Sequence, residues 1–233
     1  QYLGRMSGHN DLSRRTHELK QQLYSKSNIT FVAVSNWLAQ KCKNSSLMRD
    51  AKIAVIPNAF PIEQFPFLPR EATDWGVAKG KKVLIMGAAR LDDEVKGFDK
   101  LIDVCRYLAD YKPEVAAKCH LVLFGGIRNK ALLEQIAIPY TYLGSVEGKQ
   151  VPQLYAKSDV VLSTSYYETL PGTLVEGLAS GCVGVSFASG GQSDIIDHLE
   201  TGYLAESGNV ADFVRGVEWA VNESAATRLQ LNR

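Results

Sequence analysis

The sequence predicts an α/β fold built on a doubly wound parallel sheet, and three observations carry that expectation. Six short apolar runs recur between residues 83 and 204, and each is followed by a stretch with helical spacing. The connections between them are short. The runs are continuously apolar rather than alternating, as strands covered on both faces are. Strand–helix alternation with short links returns the chain to the same edge at each crossover, so neighbouring strands run parallel with helices on both faces.

The elements follow in order. Residues 11–26 place Leu12, Leu19 and Leu23 on an otherwise polar stretch, which predicts a one-faced surface helix. Ile29–Val34 is a strand, and Ser35, with Trp37 and Leu38 on the next turn, caps a helix over 35–43. Lys52–Ile56 is a second strand, stopped by Pro57-Asn58. Residues 57–80, with Pro57, Pro61, Pro66 and Pro69, lack periodicity and read as a linker. The chain therefore divides into residues 1–58 and 59–233. Strands are then expected at Val83–Met86, Leu121–Phe124, Tyr140–Leu143, Val160–Leu162, Val183–Val185 and Gly202–Leu204. The helices between and after them are expected at 98–108 (Leu101, Ile102, Cys105 and Leu108 inward), 129–137, 148–156, 172–180, 192–198 and 209–222.

Composition removes several classes. The 233 residues are 45% hydrophobic with a net charge of +1, so no overall field draws the chain to nucleic acid. No apolar run approaches the roughly 20 residues that a bilayer demands. Cys42, Cys105, Cys119 and Cys182 form no C-x-x-C pair and read as reduced thiols of a cytoplasmic protein. The polar opening at Gln1, with no leader pattern, reads as the start of an excised piece.

Ligands of open parallel sheets bind beyond the carboxyl ends of the strands, so the loops there carry the chemistry. After the first strand of the second part come Gly87, Arg90, Lys96 and Gly97. An Arg fork and a Lys point charge suit two adjacent phosphates. A solvated loop in which both cations balance Asp92, Asp93 and Glu94 accounts for the same residues. Gly125-Gly126 follows the next strand and fits either a close ligand or a plain turn. No G-x-G-x-x-G opens a helix, and Gly144–Gln150 falls one residue short of a P-loop. The richest loop is Ser163–Gly181. Pro171 marks a helix start, where the amides of Leu170, Gly172 and Thr173 and the positive dipole end form an anion site. Glu168 stands just before it and Glu176 one turn inside. Surface or capping carboxylates are the plainer account of each. Both together beside an anion site point to charge-assisted bonds with sugar hydroxyls.

Glu168-Thr-Leu-Pro-Gly-Thr-Leu-Val-Glu176 and Gly177-Leu-Ala-Ser-Gly181 resemble the paired-glutamate motif of retaining GT-B glycosyltransferases, in particular the large family 4. Val34–Leu38 and Val55–Asn58 resemble that family's crossover between domains, Leu143-Gly144 and Tyr155-Ser158-Asp159 its stretch near the nucleoside, and Gly190-Gly191 its Gly-Gly turn. The resemblance runs from about residue 30 to 222. It implies a Rossmann-like GT-B carboxy-terminal domain over 59–233, with 1–58 as the end of an acceptor-binding domain. Arg90 and Lys96 would then neutralise the leaving diphosphate, Glu168 would hold the transferred sugar and Glu176 the ribose. Further donor contacts are expected at Gly87, Gly125, Val146, Leu170, Pro171, Gly172 and Thr173. The donor is a nucleotide-sugar, UDP-linked as in the family at large, with no metal or cofactor. The acceptor, a glycan or lipid-linked glycan of the cell surface or capsule, would be held by a domain missing from this chain. That leaves room for peripheral membrane contact by the full-length protein, and the fragment alone is expected to be inactive. Ala89 departs from the family's usual glycine.

Two other readings remain. A GT-B nucleotide-sugar epimerase would need acid–base groups in the cleft, yet His9, His17, His120 and His198 do not follow strands. A non-catalytic nucleotide- or protein-binding module would not need Arg90, Lys96, Glu168 and Glu176 together.

Overall fold

The computed structural model describes residues 12–26, 28–67 and 75–231, and its contacts divide the chain into two units, Gln1–Asn58 and Ala59–Arg233. Asp11, His9 and Pro69 lie outside the described residues.

In the first unit, α1 (Leu12–Lys26) buries no residue, and Leu12, Leu19 and Leu23 are exposed. Strands β1 (Thr30–Ala33) and β2 (Lys52–Val55) pair in parallel from Thr30 opposite Lys52 to Ala33 opposite Val55. Helix α2 (Asn36–Lys43) starts as its sequence dictates: the Ser35 side chain accepts from the Leu38 amide at 3.2 Å. That bond satisfies one of the donors a helix start leaves open.

The second unit holds six parallel strands: β3 (Lys82–Arg90), β4 (Cys119–Gly126), β5 (Tyr140–Tyr142), β6 (Val160–Ser163), β7 (Val183–Phe187) and β8 (Gly202–Ala205). Their order is β5-β4-β3-β6-β7-β8, which places the first strand at the centre and reverses direction between β3 and β6. Alternation along the strands sorts the core into two layers. Leu84 and Met86 face α3 (Phe98–Tyr111) and α7 (Val210–Leu231), joining Phe98, Leu101, Phe213 and Val217. Val83 and Ile85 face α5 (Val151–Ala156) and α6 (Gly172–Ala179), joining Leu154, Tyr155 and Leu174. A short α4 (Pro113–Ala116) precedes β4. The doubly wound sheet is the one the sequence predicts.

Four details differ. Strand β3 runs on to Arg90, because a bulge lets three steps from Gly87 to Arg90 match two from Phe124 to Gly126. The helices expected at 129–137 and 192–198 are short 3-10 turns, Lys130–Gln135 and Gly191–Asp194, and Gly148–Gln150 leads α5 in the same way. The expected linker contributes to the core: Phe65 is buried, with its ring 6.2 Å from that of Tyr155. The last helix extends to Leu231.

Leu199 takes the left-handed conformation, φ 67°, in the turn before β8, with its side chain half exposed. A side chain there costs about 1–2 kcal/mol, against about 0.5–1 kcal/mol for the extra chain entropy of glycine. Leu199→Gly should therefore raise unfolding free energy by about 0.5–1 kcal/mol in urea denaturation.

Candidate functional site

The reversal between β3 and β6 parts the loops that leave those strands, and the crevice of an open α/β sheet lies there. Two hydrogen bonds and one close approach then fix these loops against each other. The Tyr166 amide donates to Val95 O at 2.9 Å, and Thr164 Oγ1 donates to Lys96 O at 3.2 Å. Gly97, φ 63°, lies so near Thr164 that a Cβ would fall 2.1 Å from its carbonyl oxygen. The Glu94–Lys96 turn is itself capped by Asp93, which accepts from the Val95 amide. Held this way, Lys96 Nζ meets Glu168 Oε1 at 2.5 Å. The lysine is 34% exposed and the glutamate 18%, so the pair stands at a wet edge where a ligand can reach it.

Helix α6 begins at the same place. Pro171 is its N-cap, one position earlier than a first-turn proline, and makes no side-chain cap bond. The Leu174 and Val175 amides reach Pro171 O at 3.2 and 3.4 Å. The Gly172 and Thr173 amides precede any carbonyl their helix can offer and sit at its positive end. Phe60 covers this turn from outside, 3.0 Å from where a Cβ on Gly172 would stand. Glu176 Oε1 is 3.9 Å from the same point, so its side chain runs back toward the helix start. Burial lifts its pKa above the ordinary carboxylate value, and neighbouring Tyr155 pulls it part of the way back. Tyr155 is wholly buried, and its hydroxyl couples to Glu176 without a hydrogen bond of ordinary geometry.

The remaining expected residues divide. Arg90 is turned onto its own loop, with Nη2 2.8 Å from Asp93 Oδ2 and Nε 3.8 Å from Asp92 Oδ1. Asp92 Oδ2 also accepts from the Arg128 and Asn129 amides. Burial raises the Asp92 pKa, but these amides, its own amide and the Arg90 charge outweigh it and hold the group below the usual value. The local charge balance is thus present at Arg90, while Lys96 reaches across to Glu168. Gly87 and Gly125 are packing glycines: a Cβ would fall 2.0 Å from the Phe124 ring and 1.7 Å from Ala88 O, respectively. Gly125 also ties in the edge of β5, donating to Gly144 O at 2.7 Å and accepting from the Tyr142 hydroxyl at 2.8 Å. Val146 packs part-buried on the layer that holds Tyr155. Leu170 is half-buried just before the α6 cap.

Ser158 and Asp159 lie elsewhere than expected. Both precede β6, at the amino end of the sheet and away from the crevice, where Asp159 accepts from the Val83 amide at 2.7 Å and Ser158 donates to Leu154 O. Three histidines lie among the described residues, of which His120 pairs with Thr141 and His198 accepts from the Leu204 amide. His17 pairs with Ser46 in the first unit. Among the described residues no group of His, Cys, Asp and Glu has the makings of a metal site. Ser165, which the sequence reading passed over, donates to Glu168 Oε1 at 3.1 Å. Its signal was a small hydroxyl three residues before the glutamate.

Residues 70–233 match the model of the family described as glycosyl transferases group 1. The chain belongs to that family. Among its relatives, a 2-deoxystreptamine N-acetyl-D-glucosaminyltransferase from Niallia circulans is 29% identical over 174 residues, 72% of this chain and 42% of that protein. A sulfoquinovosyl transferase from Arabidopsis thaliana is 29% identical over 139 residues, 58% of this chain and 26% of its own length. A glycosyltransferase structure from Rickettsia africae superposes with a TM-score of 0.73 at 19% identity, over 92% of this chain and 62% of that one. The fold is that of the Rossmann-like domain of GT-B proteins. The chain spans less than half the length of the curated relatives it matches. No helix among the described residues is long and apolar enough to cross a membrane.

Two outcomes follow for this group 1 site. Gly97→Ala forces a side chain into the Thr164 carbonyl at positive φ, and should cost more than about 2 kcal/mol in denaturant unfolding. Glu176 ionises less readily folded than unfolded, so its contribution falls as pH rises from 4.5 through the raised folded pKa. Glu176→Gln should therefore raise Tm at about pH 7, and the gain should vanish by about pH 4, below both values.

Proposed function

We propose that this chain is the donor-binding half of a retaining glycosyltransferase that moves a hexosyl unit from a UDP-sugar to a glycan or lipid-linked acceptor of the cell surface or capsule. The observation that carries the reading is the Lys96–Glu168 pair set beside the open first turn of α6 at the strand-order reversal. An Anabaena protein, HepE, solved in complex with UDP, shares the fold at TM-score 0.66 and 20% identity, over 97% of this chain and 67% of that one. This likeness supports the choice of nucleotide. Acceptor binding, and any contact with a membrane, belong to the part of the enzyme that the relatives have and this chain does not span. The four free cysteines support a cytoplasmic setting.

The residues divide the work by charge. The diphosphate docks on the Gly172 and Thr173 amides and competes with Glu168 for the Lys96 ammonium. Arg90 joins as second cation by exchanging Asp93 for a phosphate oxygen. As the glycosidic bond breaks, negative charge grows on the diphosphate, and these preset donors stabilise it there more than in the bound substrate. Glu168, relieved of part of its ion pair, accepts from a hydroxyl of the transferred sugar. Glu176 accepts from the ribose hydroxyls, and its bond to them offsets the cost of its burial.

Calorimetric titration of the chain with UDP, GDP and ADP tests the reading. Lys96→Ala should weaken UDP binding more than tenfold, the loss of a charged hydrogen bond being worth about 1.5–3 kcal/mol. Glu176→Gln should weaken UDP, whereas Glu168→Gln should weaken only the intact UDP-sugar. A wild-type chain that binds no nucleotide, or equal effects of the two glutamines, overturns the assignment.

A further inference from the structure

Glu168 is held by more than Lys96. Ser165 is buried, and its hydroxyl donates to Glu168 Oε1 at 3.1 Å, the same oxygen that Lys96 takes at 2.5 Å. Both protein donors thus sit on one carboxylate oxygen, and among the described residues Oε2 has none.

The loop after β7 closes on this segment from the other side. Ser189 Oγ donates to Ser165 O at 2.7 Å, and the Gly191 amide donates to Glu168 O at 2.9 Å. Gly190 admits that approach, since a Cβ there would fall 1.9 Å from Glu168 O. Gln192 completes the chain of bonds, its Nε2 donating to Ser189 Oγ at 3.2 Å. Gln192 is wholly buried, and its Oε1 has no hydrogen-bond partner. An unpaired buried amide oxygen costs stability, and a leucine would fill the space without that cost. Packing alone therefore does not account for a glutamine here.

We propose that Ser165 and Gln192, the latter through Ser189, are positioning residues that fix the Glu168 carboxylate with Oε1 committed to the protein and Oε2 left for a hydroxyl of the donor sugar. This rests on the donor-binding reading above. The arrangement makes sugar recognition depend on a carboxylate whose place is set by two loops, where a displacement of about 1 Å is enough to lose a productive contact.

The test compares Kd values of the whole chain for UDP with those for UDP-glucose and UDP-N-acetylglucosamine; their ratio is the contribution of the sugar. Ser165→Ala should leave the UDP Kd within about twofold and cut the sugar contribution about fivefold or more, as loss of a bond to a charged group does. Ser165→Thr, which keeps the hydroxyl, should recover most of it. Gln192→Leu should keep or raise Tm while lowering the sugar contribution in the same direction. A sugar contribution unchanged in Ser165→Ala overturns the proposal. So does a loss of UDP affinity and Tm in step with it, which would mark a merely structural residue. If the wild-type chain shows no binding, or no sugar contribution, the donor reading fails on its own. Crystal structures of wild type and Ser165→Ala then decide: a Glu168 carboxylate that stays in place overturns the positioning role.

Discussion

The seam between the loops after β3 and β6 sets everything around it. These strands are neighbours in the sheet but belong to its two oppositely wound halves, so nothing in strand pairing alone keeps their loops together. Main-chain bonds from Tyr166 to Val95 and from Thr164 to Lys96 do so, at a glycine where no side chain fits. With the seam closed, a lysine 72 residues away in sequence meets Glu168 within hydrogen-bonding distance, at the start of a helix whose own amides are open. Main-chain bonds and one glycine, with the Asp93 cap, bring this charged pair together.

Much of this was legible in the sequence, for reasons that can be named. Continuous apolar runs and short connections leave little freedom but a parallel sheet, and Ser35 and Pro171 mark helix starts through local chemistry. Glu168 and Glu176 announce themselves because a carboxylate beside an anion site needs an occupation. What escaped depends on register and on distance. A bulge in β3 carried Arg90 into the strand, and the acids beside it engaged its guanidinium. Ser158 and Asp159, close in sequence to the strand that leads to the site, sit at its other end, where Asp159 holds β3 and Ser158 turns back onto α5. Gly87 and Gly125 matter through Phe124 and Ala88, contacts that no spacing reveals. Ser165, Ser189 and Gln192 become visible only when the loops after β6 and β7 are seen to meet.

The electrostatics explain why such a site is poised without being costly to fold. Each cation has a carboxylate beside it, Lys96 with Glu168 and Arg90 with Asp93, so neither is left bare. Under the proposed function a ligand phosphate would exchange one anionic partner for another, at a smaller desolvation cost than burying a lone charge. Glu176 is the exception. It is half-buried, and burial raises its pKa while Tyr155 beside it pulls the value part of the way back.

The first unit poses a different physical problem. Among the described residues its two parallel strands pair with each other and with α2, while its α1 helix buries no residue and meets β1 through the Tyr24 and Phe31 rings. Val32, Val55 and Ile56 remain open to water. Along β1 only Ala33 is buried, whereas β6 is buried at every position, so opening this pair carries a smaller penalty than opening a sandwiched strand. Backbone amides of residues 30–33 should exchange with solvent deuterium long before those of β3 and β6.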